Sequence, residues 1–562
     1  MDVSEMQRKL SQWATDDPSK QFVDLYSLLC NENWLRVAHH SVNSNQGRET
    51  AGVDGESMRD FNGDLQGNLR RLRELLKAKT FEPLPVRRVY IPKANGKKRP
   101  LGIPGIRDRI VQEALRMILE PIWEADFSRH SYGFRPNRST YDAVGYIGNH
   151  LAGNGGSYQW VIEGDIASYF DTIPHRRLIK AIKQRIADRN VRDLLWKFLR
   201  AGVMYRGEVQ ETTTGTPQGG IVSPLLANIY LHALDRYMES EYLNLSNYQR
   251  VKRRKERKSN YLYVRYADDF VVLCNGTRAQ ALELKEELKN ILEQMGLTLS
   301  EEKTKITHIT EGFTFLGYQI IREMGGRGKM APKVLIPASA IKRFQSNMRR
   351  ILNPTTHNEA TMAKIRAMNQ LTQGWCQYYR CTSNLRIFGK LTAELFWAMT
   401  HWLGRKYKIS TPEVFKRYKR TQGTITTLGT ERTMLVMPYS YKAKKLLAKT
   451  WHNPYTAKEA IIREKFLWYE SIWSGYQDRQ GGWDLREEMI ELKGTICAIQ
   501  GPDCISQGKP LHPSEVEMDH IILRTKFKDP TEADRMDNLQ PVCSPCHRAK
   551  TKSDLRVLSR MR

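Results

Sequence analysis

One stretch in the middle of the chain carries apolar and aromatic residues on both sides of a short polar break. Residues 261–274, YLYVRYADDFVVLC, surround two adjacent acids, Asp268 and Asp269. This pattern predicts the two strands of a hairpin with both carboxylates on its turn. Two carboxylates at the tip of an apolar hairpin are costly unless a cation joins them, and Mg²⁺ prefers hard oxygen ligands. The alternative is a solvated acid pair in an ordinary turn.

The apolar pattern of the remaining chain predicts alternating helices and strands. Residues 1–80 have a mostly helical, polar pattern, and residues 340–450 are basic and mainly helical. VRRVYIP and RPLGIP predict a strand pair around the turn ANGKK, and WVIEGD predicts a strand that ends with Asp165. The order of these elements favours an α+β domain with helices on one face of an antiparallel sheet.

The charge of the chain adds a polyanionic partner to this picture. Its 562 residues contain Lys+Arg 89 against Asp+Glu 61, a formal net charge of +28, and 40% are hydrophobic. Several buried cores are therefore expected, and the excess charge favours nucleic acid over a membrane surface. No uninterrupted apolar stretch is long enough to span a bilayer, and the N-terminal segment lacks an apolar signal core. We therefore expect no membrane partner and a bacterial cytoplasmic location.

The eight cysteines divide into two groups. Four are scattered within apolar or mixed segments and are expected to be ordinary thiols: Cys30, Cys274, Cys376 and Cys381. The other four form a C-x6-C and a C-x2-C pair near the C-terminus: Cys497, Cys504, Cys543 and Cys546. In a chain without a secretory signal, this arrangement favours a metal site over disulfides.

Taken together and in order, these segments resemble a reverse transcriptase of the group II intron-encoded type. Over roughly residues 35–320 the matching segments are IPKANGKKRPLGIP, SYGFRPNRS, GDIASYFDTIPH, GTPQGGIVSPLLANIYL, YADD, GLTLSEEKT and FLGY. GWCQYY and its helical surroundings resemble the maturase domain of that family, and EMDHI with NLQPVCSPCHRAK resembles an HNH endonuclease. The resemblance implies a multidomain α+β protein. Its parts would be a right-hand polymerase with an antiparallel palm sheet, an α-helical thumb and a small zinc-containing ββα-metal HNH domain.

Five domains are predicted from this resemblance and from the shifts in composition. They are an N-terminal RNA-binding extension (1–80), reverse transcriptase fingers and palm (81–330), a thumb or maturase domain (331–450), a DNA-binding connector (451–485) and an HNH endonuclease domain (486–562).

The resemblance assigns the polymerase chemistry to three acids. Asp165, Asp268 and Asp269 would hold two Mg²⁺ ions. One ion would lower the pKa of the primer 3′-hydroxyl, and the other would stabilise the leaving pyrophosphate of an in-line displacement.

The resemblance also assigns a binding pocket for the incoming dNTP. Lys93 and Arg99 match the positions that grip the triphosphate. The ring of Phe170 would crowd the sugar 2′-hydroxyl and so select dNTP over NTP. Gln218 would line the nucleotide and template pocket.

The C-terminal domain would carry a second active site and a structural zinc ion. His520 is the expected general base, because imidazole titrates near working pH. Asp519, His547 and Asn538 are expected to bind one divalent ion, although Asn538 could instead orient its loop and Glu517 could be a ligand or a surface acid. The four C-terminal cysteines would bind Zn²⁺ and staple a domain too small for a large core. Their first pair departs from the usual C-x2-C knuckle.

These implications predict an RNA-directed DNA polymerase that is also a splicing maturase and a site-specific DNA endonuclease. It would act in an intron ribonucleoprotein by target-primed reverse transcription, near the nucleoid when it acts on DNA. Its partners would be group II intron RNA, target double-stranded DNA and dNTPs. Two alternatives remain: an RNA-binding splicing factor with an inactive polymerase, and an HNH homing nuclease with an RNA-binding body.

Overall fold

The computed structural model describes most of the chain. The described residues are 2–92, 96, 98–152, 158–205, 207–210, 212–216, 219–325, 330–422, 425–430, 433–442, 444, 446, 452–457, 489–490, 492–511, 516–522, 536–543, 545–547, 549–550 and 553. The predictions for Lys93 and Gln218, and most of the predicted connector, lie outside these residues.

Helices and strands alternate along the chain much as the apolar pattern predicts. The helices are α1 (Val3–Asp16), α2 (Tyr26–Leu29), α3 (Glu32–Ser44), α4 (Met58–Phe61), α5 (Leu65–Lys77), α6 (Ile106–Asp126), α7 (Thr140–Leu151), α8 (Tyr169–Thr172), α9 (His175–Lys183), α10 (Arg189–Arg200), α11 (Ser223–Met238), α12 (Asn247–Lys255), α13 (Arg278–Gln294), α14 (Ala338–Ile351), α15 (Thr361–Tyr379), α16 (Arg386–Tyr407) and α17 (Thr411–Tyr418). The strands are β1 (Val86–Pro92), β2 (Lys98–Ile103), β3 (Trp160–Asp165), β4 (Val203–Tyr205), β5 (Glu208–Gln210), β6 (Tyr261–Tyr266), β7 (Asp269–Cys274), β8 (Lys305–His308), β9 (Phe313–Phe315), β10 (Tyr318–Met324), β11 (Met330–Leu335), β12 (Lys419–Gln422), β13 (Ile425–Leu428), β14 (Val516–His520) and β15 (Leu539–Cys543).

The N-terminal helices pack on the long helix α6. Helices α1 and α3 both lie against α6, and their apolar residues join one large core. Trp34 of α3 is fully buried, and its indole N–H donates to the carbonyl of Ala114 in α6 at 3.0 Å. The first 80 residues therefore share their core with the segment that follows them.

Two sheets flank this core. One has the order β2-β1-β4-β5, with β1 and β2 paired as the predicted hairpin and β1 parallel to β4. The other, which we call the acid sheet, has the order β6-β7-β3-β8 and is antiparallel throughout. The acid sheet is antiparallel, as expected for the strand that ends with Asp165 and the acid-bearing hairpin, whereas the first sheet contains one parallel strand pair. A Cβ added to Gly164 would lie 2.1 Å from the ring of Phe270, so only glycine lets this ring pack across the acid sheet.

The segment after the acid sheet is mainly helical, as predicted. Strands β9–β11 form a small sheet, and helices α14–α17 follow with the short hairpin β12–β13. Trp375, Tyr378 and Tyr379 of α15 pack against buried apolar residues, so these aromatic residues belong to the core.

The last described parts of the chain are a short anchor and a small hairpin. Residues 452–457 contact α1 and α6: the Asn453 amide donates to the Ser11 hydroxyl at 2.9 Å, and the Tyr455 hydroxyl donates to the Glu120 carboxylate. Strands β14 and β15 pair as a hairpin over a small core that contains the four C-terminal cysteines. Among the described helices, none combines the length and apolar character needed to cross a bilayer.

Candidate active sites

The hairpin that carries the two adjacent acids turns within two residues. Tyr266 at the end of β6 pairs with Asp269 at the start of β7, so Ala267 and Asp268 form the turn. Ala267 has a φ of 58°, in the left-handed region. The predicted hairpin is confirmed. The prediction that both acids lie on the turn is wrong for Asp269, because the ladder already includes that residue.

Asp165 joins these two acids from the neighbouring strand. It is the last residue of β3, and the sheet register places it directly opposite Asp269. The Lys303 ammonium lies 2.8 Å from the Asp165 carboxylate, and most of this lysine side chain is exposed. The structure thus brings all three predicted polymerase acids together and adds a cation beside them.

The electrostatics of the three acids fit a site for divalent cations. Burial and the charges of Asp268 and Asp165 raise the pKa of Asp269 to about 7. Burial and the charge of Asp165 also raise the pKa of Asp268, while the charge of Arg99 acts in the opposite direction. A divalent cation that binds these hard carboxylate oxygens would relieve the repulsion between them.

We expect Asp269→Asn to raise the Tm of the metal-free protein by about 2 °C at pH 8, because it removes one of three repelling charges. The pKa of Asp269 is about 7 in the folded protein and about 4 in an unfolded chain. The wild type therefore loses stability as the pH rises between these values. The gain in Tm should grow from pH 5 to pH 7 and then stay constant. Calorimetry in EDTA checks this, and a gain independent of pH would contradict it.

The predicted nucleotide pocket is described in part. Arg99 on β2 is close enough to the turn for its charge to lower the pKa of Asp268. Phe170 in α8 is buried, and its ring lies edge-on to that of Phe134, with centroids 6.1 Å apart. The structure therefore places Arg99 and Phe170 at or beside the acid sheet.

Two residues near this site were not singled out in the sequence. Lys303 lies in GLTLSEEKT, but no pattern connects it with Asp165, which is 138 positions away. Phe134 lies in SYGFRPNRS, keeps 49% of its surface exposed and has a φ of 56°. A bulky aromatic residue in the left-handed region is unusual. A sequence indicates that conformation only where it has glycine or asparagine, so it could not be predicted for Phe134.

The arginines of SYGFRPNRS hold a packed loop. Arg135 forms an ion pair with Glu124 in which neither side chain is exposed, and it also donates to the carbonyls of Ser128 and Ser131. Arg138 is buried and likewise donates to the Ser131 carbonyl. Arginines beside aromatic residues can contact a nucleic-acid strand or hold a packed loop, and the structure favours the packed loop for both arginines.

The four C-terminal cysteines converge as predicted. All four are buried, and their Sγ atoms lie within 4.8 Å of one another. The Sγ atoms of Cys504 and Cys543 are 3.8 Å apart. A Zn–S bond of about 2.3 Å in a tetrahedron gives a sulfur separation of about 3.8 Å. The C-x6-C pair therefore supplies both of its sulfurs to the cluster.

Backbone donors surround this cluster. Burial raises the pKa of the Cys497 thiol, but N–H groups of Cys543, Gln500 and Ile499 more than offset it and lower this pKa to about 7. A thiolate that is already stabilised by N–H groups suits a metal, because the ligand must be deprotonated. The donor set thus fits a structural zinc ion.

Acids of β14 meet a histidine at the predicted nuclease site. The Nδ1 atom of His547 lies 2.6 Å from the Glu517 carboxylate, and its Nε2 atom lies 3.6 Å from that of Asp519. The hydrogen bond to Glu517 raises the pKa of His547. Asp519 also accepts from Gln540 at 2.7 Å. Asp519 and the Nε2 atom of His547 therefore face each other and could share a divalent ion, whereas Glu517 binds the opposite ring nitrogen.

The structure favours a different role for Asn538. Its side-chain oxygen accepts from the Ile522 N–H at 2.8 Å, and its amide nitrogen donates to the Ile522 carbonyl at 3.1 Å. Both polar atoms are thus used on the loop after β14, which supports the loop-orienting alternative over the predicted ligand role. His520 ends β14 opposite Leu539, and strand alternation puts it on the other face from Asp519.

Three family models match successive parts of the chain. They are Reverse transcriptase (RNA-dependent DNA polymerase) over residues 91–320, Group II intron, maturase-specific domain over 341–422, and HNH endonuclease over 504–553. The acid sheet lies within the first match, and the β14–β15 hairpin lies within the third. The fold and sites thus define a template-copying polymerase joined to a nuclease.

Two relatives narrow this class. The chain is 32% identical over 539 residues to the group II intron-encoded protein LtrA of Lactococcus lactis subsp. cremoris, and the match covers 84% of each protein. It is 42% identical over 369 residues to protein YkfC of Escherichia coli (strain K12), and this match covers 63% of the chain and 97% of YkfC. The chain belongs to the group II intron-encoded proteins. It is a reverse transcriptase, a splicing maturase and an HNH endonuclease. Neither a splicing factor with an inactive polymerase nor a homing nuclease with an RNA-binding body is favoured.

Proposed function

We propose that Asp165, Asp268 and Asp269 bind two Mg²⁺ ions in a polymerase palm and that DNA synthesis takes place there. The observation that carries this proposal is the convergence of the three carboxylates, with the pKa of Asp269 raised to about 7. When bound, Mg²⁺ would favour ionisation of the primer 3′-hydroxyl and neutralise charge on the phosphates. The chain's own part is to hold two hard ligands on adjacent strands, Asp165 and Asp269, and the third, Asp268, on the turn before β7. Lys303 forms an ion pair with Asp165.

The incoming dNTP would lie between the β1–β2 hairpin and the acid sheet. Arg99, together with Lys93 and Gln218, would bind the triphosphate and base, and Phe170 would contact the sugar. The proximity of Arg99 to Asp268 supports this placement. The five predicted domains belong to the same proposal, with fingers and palm in residues 81–330 and the thumb in residues 331–450.

Phe170→Ala should raise incorporation of NTP relative to dNTP by about 10- to 200-fold, because the space for a 2′-hydroxyl opens. Competitive primer extension with mixed nucleotides measures this ratio. The neighbouring Tyr169→Phe is the matched control. That hydroxyl donates to the Ala227 carbonyl inside the core, so its loss should leave sugar selectivity unchanged. Unchanged selectivity in Phe170→Ala would remove Phe170 from this role.

In the C-terminal domain, Asp519 and His547 would bind one divalent ion at the scissile phosphate. The Nε2 atom of His547 faces the Asp519 carboxylate, which supports this assignment. His520 would act as the general base on water from the last position of β14, although strand alternation puts it on the other face from Asp519. Asn538 would hold the loop that follows β14. The connector, residues 451–485, would contact DNA.

His520→Ala is expected to lower DNA nicking by about 10²- to 10⁴-fold and to leave primer extension unchanged. The substitution removes the proton acceptor and leaves the acids of the other site intact. Nicking of supercoiled plasmid, beside primer extension on an RNA template, checks both activities. Zinc content equal to that of the wild type shows that the domain remains folded. Nicking at the wild-type rate would refute the assigned base.

We propose that the two sites work in sequence as target-primed reverse transcription. The protein would bind its group II intron RNA through basic surfaces, assist splicing, nick the target duplex and extend the nick with dNTPs by copying the intron. A bacterial cytoplasm, with association with the nucleoid during DNA cleavage, is part of this proposal, and the relative from Lactococcus lactis supports it. The net charge of +28 supports the polyanionic partners.

The test uses the protein with its intron RNA and labelled target DNA. Wild type should convert the nicked strand into an extended product. His520→Ala should extend pre-nicked DNA but not intact DNA, and Asp268→Ala should nick without extension. Extension of intact DNA by His520→Ala would overturn the proposed sequence.

A further inference from the structure

A buried network lies beneath the turn that carries Asp268. Arg265 of β6 forms an ion pair with Asp235 of α11 in which neither side chain is exposed. Its Nε atom donates to Asp235 Oδ1 at 2.7 Å, and one terminal nitrogen donates to Oδ2 at 2.5 Å. The other terminal nitrogen donates to the carbonyl of Ala267 at 2.9 Å. One fully buried guanidinium thus connects a core helix with the first residue of the turn.

Asn228 extends this network to a second loop. Its side-chain oxygen accepts from Arg265 at 3.0 Å, and its amide donates to the carbonyl of Gly133 at 2.8 Å. Gly133 lies against the turn from outside: a Cβ there would be 2.4 Å from the backbone nitrogen of Ala267. The turn peptide is therefore held on one side by Arg265 and on the other by Gly133.

The turn needs such support because its conformation is unfavourable. Ala267 has a φ of 58°, and a non-glycine residue persists there only where its surroundings enforce it. Asp268 follows directly and shares a peptide bond with the carbonyl that Arg265 binds. Loss of that bond would allow the turn to relax and would move the carboxylate of Asp268 relative to Asp165 and Asp269.

We propose that Arg265, held by Asp235 and Asn228, is a positioning residue that fixes Asp268 for catalysis through the Ala267 carbonyl. The inference rests on the proposed role of the three acids as metal ligands. It goes further, because it assigns to a buried ion pair the orientation of the active-site turn. A buried ion pair contributes little net stability compared with apolar packing, so orientation is a reason for its presence here.

The test compares Arg265→Lys and Asn228→Ala with a matched control, Arg185→Lys. Arg185 is likewise buried, binds Asp126 at 3.0 Å and donates to three carbonyls, but these lie at the end of α1 and just beyond it. Four quantities are measured: Tm, hydrogen exchange of the amides of residues 266–269, Mn²⁺ affinity by electron paramagnetic resonance, and kcat with KM for dNTP. Asn228→Ala leaves the ion pair in place and serves if Arg265→Lys does not fold.

We expect both network variants to lower kcat by about 10²-fold with less than about 3-fold change in KM, because small displacements of catalytic groups have effects of this size. Mn²⁺ should bind more weakly, and the turn amides should exchange faster. Arg185→Lys should lower Tm alone. A network variant with lowered Tm but wild-type kcat and turn exchange would overturn the proposal. If Asp268→Ala binds Mn²⁺ as tightly as the wild type, the proposed metal site is wrong. Hydrogen exchange of the turn amides then still decides the role of Arg265.

Discussion

Asp268→Ala is expected to lower RNA-templated DNA synthesis by about 10³-fold or more, because it removes a carboxylate from the site where charge develops during phosphoryl transfer. Two acids would remain, and their geometry could not hold two divalent ions. Primer extension on an RNA template with dNTPs and Mg²⁺ measures the loss. Affinity for structured RNA should stay nearly unchanged, because a single acid in the turn makes few phosphate contacts.

Asp171→Ala is the matched control for this experiment. Asp171 is an exposed acid next to Phe170, outside the group formed by Asp165, Asp268 and Asp269. Its loss should leave extension within a few-fold of the wild type.

Splicing should also continue in Asp268→Ala, since RNA binding does not need the acid. Loss of splicing together with extension would instead indicate that the turn supports the fold of the whole polymerase.

Removal of zinc is expected to abolish nicking altogether while polymerisation continues. Structural zinc contributes about 10–16 kcal/mol of apparent binding energy in small metal-dependent domains, and here the four thiols lie inside the core of the β14–β15 hairpin. Cys543→Ser should therefore release the metal and unfold this hairpin. Metal analysis, nicking and primer extension on the same preparation check the three parts of this expectation.

Cys30→Ser and Cys497→Ser complete this test. Cys30 lies outside the cluster, so its serine variant should keep one zinc ion per chain and full nicking. Cys497→Ser should lose the metal, because its sulfur lies within 4.8 Å of the other three. Stoichiometric zinc in Cys497→Ser would show that the C-x6-C pair does not supply both ligands.

Local patterns were sufficient to predict the elements that carry the acids. The β6–β7 hairpin and the strand that ends at Asp165 both follow from apolar runs bounded by turn residues. The cysteine cluster was also predictable, because spacing restricts which thiols can meet. The position of Asp269 in β7 was missed, since a two-residue turn leaves room for one acid and the apolar pattern cannot show turn length.

Contacts between distant segments were not predictable from one sequence. Three sets of contacts depend on tertiary packing: the ion pair of Arg265 with Asp235, the ion pair of Lys303 with Asp165, and the two hydrogen bonds between Asn538 and Ile522. Charged residues in an apolar run give no sign of their partners until the fold brings the segments together. For this reason the sequence could suggest nucleic-acid contact for the arginines of SYGFRPNRS, although Arg135 is fully buried against Glu124.

The anchor at residues 452–457 limits the distance between the nuclease and polymerase sites. Because Asn453 and Tyr455 form hydrogen bonds to α1 and α6, the largest separation between nuclease and polymerase depends on the chain after residue 457. From residue 457 to residue 489 an extended chain reaches at most roughly 110 Å. Residues inserted after 457 would raise this upper limit, whereas residues inserted before 452 would leave it unchanged. The chain after residue 457 thus limits how far a nicked 3′ end has to be carried from the nuclease site to the polymerase site.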